Sequence, residues 1–186
     1  MLHWWQNRQQ RMAAAQSLYA LTVAAARRPA LYAQYGIPDT FDGRFDSLLV
    51  HAAPVFTRLK DCDTPDSDAL AQKYFDVIFK HMEISLREIG VGDLGVPKHV
   101  KKMMAAAQGR CLAYANALRT HDTADLQIAM NKNIFATAPV TDMQLTALSD
   151  MILTTYTHLS ALDFATMQQA DFTFSAPGET QWPKAA

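Results

Sequence analysis

Apolar residues in this chain recur at spacings of three and four along nearly its whole length, and that rhythm limits what it can fold into. Phe75, Phe79, Met82, Leu86 and Ile89 follow one another at 4, 3, 4 and 3. Phe41, Phe45, Leu48, Ala52, Val55 and Leu59 run at 4, 3, 4, 3 and 4. Such spacing lines up one face of an α-helix, whereas a half-buried strand needs alternation at every second residue. Sustained alternation is absent, and Phe172-Thr173-Phe174 is the only hint of extended chain. The fold class expected is therefore all-α: a single-domain bundle of about seven to eight helices, with an N-terminal helix that can act as an arm.

Helix boundaries are written in the punctuation. An amphipathic first helix is expected over 6–27, because Trp5, Met12, Tyr19 and Ala26 recur every seven residues and Arg27-Arg28-Pro29 stops it. A short helical turn, 30–35, ends at Gly36. Asp39 or Thr40 is placed to cap a third helix, in which Pro54 removes the hydrogen bond to Val50 and should bend the axis. An acidic linker over 61–68 precedes a fourth helix, about 68–89, apolar on more than one side and so expected to be central. Further helices are expected over 97–119, 122–135, from Thr141 or Asp142 onward, and over 163–170. Three segments result: an N-terminal amphipathic helix (1–29), a helical core (30–170) and an irregular C-terminal tail (171–186).

Between the fourth and fifth helices lies Arg87-Glu88-Ile89-Gly90-Val91-Gly92-Asp93-Leu94-Gly95-Val96-Pro97-Lys98-His99-Val100-Lys101-Lys102. Gly90, Gly92 and Gly95 spell G-x-G-x-x-G, the dinucleotide fingerprint. The fingerprint requires a preceding strand and an acidic residue about 20 positions on. Here a helix precedes it, and the downstream position holds Ala115 and Asn116. The Walker pattern also fails, because Pro97-Lys98-His99 is not Gly-Lys-Ser/Thr. A helix corner explains the glycines better: Gly90 as a C-cap at positive φ, Gly92 and Gly95 in the reversal, and Pro97 in the first turn of the next helix. Lys98, Lys101 and Lys102 then sit at the positive end of a helix dipole, where cations are disfavoured unless something acidic compensates.

Bulk composition excludes several classes. The chain has 186 residues, 49% hydrophobic and 19% charged, as in a globular domain with a sizeable core. A net charge of −1 argues against a dedicated nucleic-acid binder. Cys62 and Cys111 make neither a metal spacing nor a disulfide framework and read as reduced residues of a cytoplasmic protein. The run Ala13–Ala26 loosely imitates a signal peptide, but Gln16, Ser17 and Thr22 interrupt it. No run reaches the roughly 18 apolar residues of a membrane span.

No catalytic set emerges. The six histidines (His3, His51, His81, His99, His121 and His158) form no H-E-x-x-H and no E-x-x-H pair, and His81-Met82-Glu83 lacks the P-C-x-x-C that a zinc deaminase needs. No serine lies in G-x-S-x-G, and Cys111 reads as a core residue. No enzyme activity, metal or cofactor is expected. Asp42 and Asp46, at i and i+4, share a face with Asp39 close by, and like charges there need a cation. Arg44, Arg87 or the Lys98/Lys101/Lys102 group can supply it, clamping helix three against the Gly loop. Alternatively the carboxylates form the charged rim of a partner surface around an apolar centre. The nine methionines, Met103, Met104, Met143, Met151 and Met167 among them, fill a core or line a surface for varied apolar clients.

Two segments resemble a known family. Tyr35-Gly36-Ile37-Pro38-Asp39-Thr40-Phe41-Asp42-Gly43-Arg44-Phe45-Asp46, followed by Leu48-Leu49-Val50-His51, is similar to the opening motif of the ubiquinol–cytochrome c chaperones. Ser85 through Met103, with Asp93 in its loop, resembles their second motif. The resemblance covers about residues 30–165. It implies a non-enzymatic assembly factor for ubiquinol–cytochrome c reductase that binds newly made, apo cytochrome b near the ribosomal exit, together with a small co-chaperone. Lacking a mitochondrial presequence, the chain is similar to bacterial members. The candidate motif or partner-binding residues are Asp39, Asp42, Arg44, Phe45, Asp46, Arg87, Asp93, Lys98, Lys101 and Lys102. Trp4 and Trp5 on the first helix suit either docking on the bundle or a peripheral contact at the inner face of the cytoplasmic membrane. The competing class is an anion or small-molecule binder using the Gly90–Lys102 loop.

Overall fold

The computed structural model describes residues 2–177, with side chains from residue 7 onward. Eight helices follow in order among them: α1 (Leu2–Ala26), α2 (Pro29–Ala33), α3 (Phe41–Asp61), α4 (Pro65–Glu88), α5 (Val96–Thr120), α6 (Thr123–Asn133), α7 (Asp142–Ser160) and α8 (Phe164–Gln169). No strand occurs among the described residues. The side chains of Trp4 and Trp5, and residues 178–186 of the expected tail, lie outside what the structure describes.

Local chemistry starts the helices where the sequence marks them. The hydroxyls of Thr40, Thr64 and Thr141 accept hydrogen bonds from the amides of Gly43, Ser67 and Gln144. Asp122 and Asp163 do the same for α6 and α8. Thr64 and Ser67 form a capping box with Pro65 at the first helical position, so α4 begins three residues earlier than its periodicity suggests. The acidic run thus becomes a first turn, where its carboxylates suit the dipole.

Helix α3, not α4, is the centre of the molecule. Every residue from Phe45 to Val55 is buried. Leu48, Leu49, Ala52, Val55 and Leu59 join a core shared with α1, α4, α8 and Phe172 and Phe174. Val50 and Ala53 join a second core shared with α2, α5, α6 and α7. Small residues decide this: Ser47, Ala52, Ala53 and Pro54 let neighbours approach from both sides, while α4 carries Lys73, Asp76, Lys80 and Glu83 on its outer face. The helix passes through Pro54 without a break. Helix α1 packs on α4 and α3, with Ala15 and Leu18 fully buried and the Thr22 hydroxyl 2.6 Å from that of Tyr74.

Residues 171–177 are irregular but not loose. Phe172 and Phe174 are buried, and the Arg28 guanidinium donates to the carbonyls of Ser175 and Phe174 at 2.5 and 3.2 Å. An apolar pair at period two is too short to be read from sequence as anchored chain.

Gly90 closes α4 as expected. It has φ +89, its amide donates to the Arg87 carbonyl, and Val91 N–H donates to that of Leu86. This pair of bonds is the Schellman pattern. A Cβ at Gly90 would meet nothing within 4 Å, so only backbone strain opposes a side chain. Gly90→Ala is therefore expected to cost about 1 kcal/mol, lowering the thermal midpoint by roughly 3 °C in a chain of this size. A calorimetric scan of the two proteins measures it.

Candidate functional site

The two motif segments face each other across a cleft of about 790 Å³. One wall is the chain before α3 and its first turns, with Pro38, Phe41, Asp42, Phe45 and Asp46. The other is the end of α4, its loop and the start of α5, with Leu86, Ile89, His99, Lys102 and Met103. Arg110 lies deeper along α5, and Asn133 at the end of α6 closes the cleft with Ile134 and Thr137 just after it.

Gly43 makes the first wall possible. An ideal Cβ on it would lie 2.0 Å from the Pro38 carbonyl oxygen. The 35–40 segment therefore folds back onto the first turn of α3 at a distance that only glycine permits.

Asp46, buried, and Arg110, half-buried, form the cleft's ion pair. Asp46 is 6% exposed, and the Arg110 guanidinium also lies over the Phe45 ring, 6.0 Å from its centroid. Burial raises the Asp46 carboxyl to about 7; Arg110 opposes this and Asp42, one turn back, adds to it. Nothing in the sequence marks Arg110, because a lone arginine in an apolar run carries no motif.

The clamp expected between the α3 carboxylates and the Gly loop is not what the structure makes. Asp39 pairs with Arg44 at 2.6 Å within its own segment, and the Arg44 hydrogen bond holds the Asp39 carboxyl below its usual range. Arg87 pairs with Glu83 at 2.9 Å and with Asp93, closing the loop on its own helix. Helix α3 is tied instead to the middle of α5, through Asp46. The reason is length: the two helices pack along each other, so Asp46 meets a residue more than three turns into α5. Asp42, Lys98, Lys101 and Lys102 make no ion pair among the described residues, and of the three lysines only Lys102 lines the cleft.

Nor does the loop form an anion cradle. The amides of Gly90, Val91, Gly95 and Val96 already donate to Arg87, Leu86 and Gly92 carbonyls, so they do not converge on an outside ligand. No group of three or more metal-ligating side chains occurs among the described residues. Burial pushes the Cys111 thiol up to about 12, the opposite of activation.

A second, apolar groove of about 410 Å³ runs between α3, α4 and α5. Phe56, Phe75, Met104 and Leu112 line it, with Lys60, Gln72, Gln108 and Arg119 at its margins. Leu112 is 62% exposed. The methionines divide accordingly: Met103 faces the cleft, Met104 the groove, Met143 the solvent, and Met151 and Met167 the core.

His51, buried within α3, hydrogen-bonds the Ser47 carbonyl through Nδ1, and burial lowers its pKa to about 4. Because the fold disfavours its cation, stability is lost as pH falls from about 6.5, the unfolded value, toward 4. Asp46 acts the other way. Its raised pKa means the fold takes up a proton between pH 7 and 4, so acidification over that window adds stability. Asp46→Asn removes the opposing effect. Urea midpoints of that variant are expected to fall more steeply than those of the parent between pH 7 and pH 4.5.

No helix among the described residues is long and apolar enough to cross a membrane. No curated protein matches the chain. The crystal structure of the Cbp3 homolog from Brucella abortus superposes with a TM-score of 0.80 at 32% identity, covering 94% of this chain and 96% of that one. The ubiquinol-cytochrome C chaperone family model matches residues 33–174, which include both cleft walls and the groove. With a 76% share of its length inside that match and a helical fold shared with a homologue, the chain belongs to the ubiquinol–cytochrome c chaperone family.

Proposed function

We propose that this protein is a non-enzymatic chaperone that holds newly made cytochrome b during assembly of ubiquinol–cytochrome c reductase, working at the inner face of the membrane. The observation that carries the client reading is the groove of Phe56, Phe75, Met104 and Leu112. Cytochrome b is a bundle of apolar helices, and a helix awaiting its neighbours presents an apolar stripe. A groove of aromatic and thioether side chains with a polar margin accepts such a stripe without demanding one sequence. The Asp46–Arg110 pair in the cleft between the motifs ties together α3 and α5, two of the helices that form that groove. A small co-chaperone and the ribosome surface would meet the faces that the groove leaves free.

Deleting the gene in a host that has the reductase is expected to lower membrane b-type haem and the reductase subunits together. Unchanged levels would sink the reading. Complementation with Leu112→Glu, which places a charge in the groove while leaving the core untouched, is expected to restore the protein but not the haem.

A further inference from the structure

The N-terminal part of the outer face of α5, from Lys98 to Ala105, is not used by the reading above. From Leu94 to His121 the chain holds no acidic residue, while α5 carries Lys98, Lys101, Lys102, Arg110 and Arg119. Arg110 and Arg119 are neutralised by Asp46 and Asp61. The three lysines are exposed and make no ion pair among the described residues. They stand in the first two turns, and the helix dipole opposes Lys98 in the first of these. In a chain of net charge −1 they make a local patch of uncompensated positive charge that an anionic surface would complement.

Leu94 identifies the kind of anion. It is 99% exposed, and Ile89, at the start of the same loop, is 59% exposed. The chain already winds as a turn at Gly92, whose carbonyl accepts from both Gly95 and Val96. Leu94, Lys98, Lys101, Ala105 and Leu112 therefore follow the spacing 4, 3, 4 and 7 of one helix face, and all are exposed. The acid nearest in sequence, Asp93, is held by Arg87. Lysines flanked by bare leucines fit a bilayer surface: ammonium groups reach anionic headgroups while leucine enters the acyl boundary. Nucleic acid fits poorly, because this face offers no aromatic or unpaired arginine for stacking.

We propose that the outer face of α5, led by Leu94, docks on an anionic lipid bilayer. This deepens the membrane-side placement proposed above. Leu112 ends the strip and is also a lip of the apolar groove, so docking would open the groove beside the lipid.

The full chain is sedimented with vesicles of phosphatidylcholine alone or mixed with phosphatidylglycerol. Binding is expected only to the mixed vesicles and should weaken as salt rises. K98Q/K101Q/K102Q is expected to lower the partition coefficient roughly a hundredfold. Leu94→Gln is expected to lower it roughly tenfold, both variants keeping the parent's circular dichroism and thermal midpoint. The proposal is overturned if the parent ignores anionic vesicles or binds neutral ones equally. It is also overturned if the variants bind like the parent, which moves the anchor elsewhere, to the first helix for example. Lysine-dependent retention on RNA without vesicle binding would overturn it in favour of nucleic acid. The vesicles contain no client, so these results stand apart from the haem measurements.

Discussion

Gly43→Ala is expected to destabilise the protein by roughly 2–4 kcal/mol, with a thermal midpoint lower by roughly 5–15 °C. The added methyl would lie 2.0 Å from the Pro38 carbonyl oxygen, and a backbone atom cannot rotate away as a side-chain tip can. Either the 35–40 segment lifts or the first turn of α3 frays, and the Thr40 cap on Gly43 is lost in both cases. The cleft wall moves with it. A second glycine serves as the control: Gly109 lies inside α5 with nothing within 4 Å of its Cβ position. Gly109→Ala should therefore stabilise by about 0.5–1 kcal/mol, because alanine is the better helix former. Equal effects at the two sites, read by calorimetry, would show that the close approach at Pro38 does not constrain the fold.

Arg110→Met is expected to be the more pH-dependent loss. Without the guanidinium, the Asp46 carboxyl loses the one influence that lowers its pKa and rises above 7. Near pH 6 the carboxyl is protonated in the fold, and the variant should cost only the lost hydrogen bond, about 1 kcal/mol. Toward pH 9 a buried carboxylate would stand unpaired, or the fold must hold a proton against the solution, and the loss should grow to about 3 kcal/mol. The sign follows from linkage: a carboxyl raised in the folded state binds more protons folded than unfolded, so stability falls as pH rises. Combining Arg110→Met with Asp46→Asn should abolish the growth with pH. Denaturant titrations at several pH values test this, and a flat difference between parent and single variant would mean that Asp46 does not face Arg110 across the cleft in solution.

Much of the architecture was legible because it rests on short-range chemistry. The 3–4 rhythm of apolar residues announced helices, and Thr40, Asp122, Thr141 and Asp163 mark starts that a neighbouring amide can use. Gly90 announced a left-handed C-cap within its own loop. The start of α4 lies before its apolar rhythm begins, because a capping box around Pro65 works without any apolar signal. The centrality of α3 was missed for a related reason. Its second buried face is built from Ala53, Pro54 and Ser47, which contribute little to hydrophobic periodicity yet allow the closest packing.

The candidate site was legible only as two segments of chain. Their motifs drew attention to Asp39, Asp42, Asp46, Arg87 and the lysines, but charges hold no record of their partners. Asp46 finds Arg110, 64 residues away, only because α3 and α5 lie side by side. Gly43 carries no signal of its own in the first motif, yet it is a point of contact between two stretches of backbone.

By itself, then, the sequence determined the helices, their caps, the Gly90 corner and the family, since each depends on residues a few positions apart or on an unbroken motif. Tertiary structure decided which helix became the core, where Asp46 found its cation, and that Lys98, Lys101, Lys102 and Leu94 were left facing outward. Those outcomes depend on which surfaces meet once helices pack, and side-chain partners across such contacts are separated by tens of residues that no local pattern links.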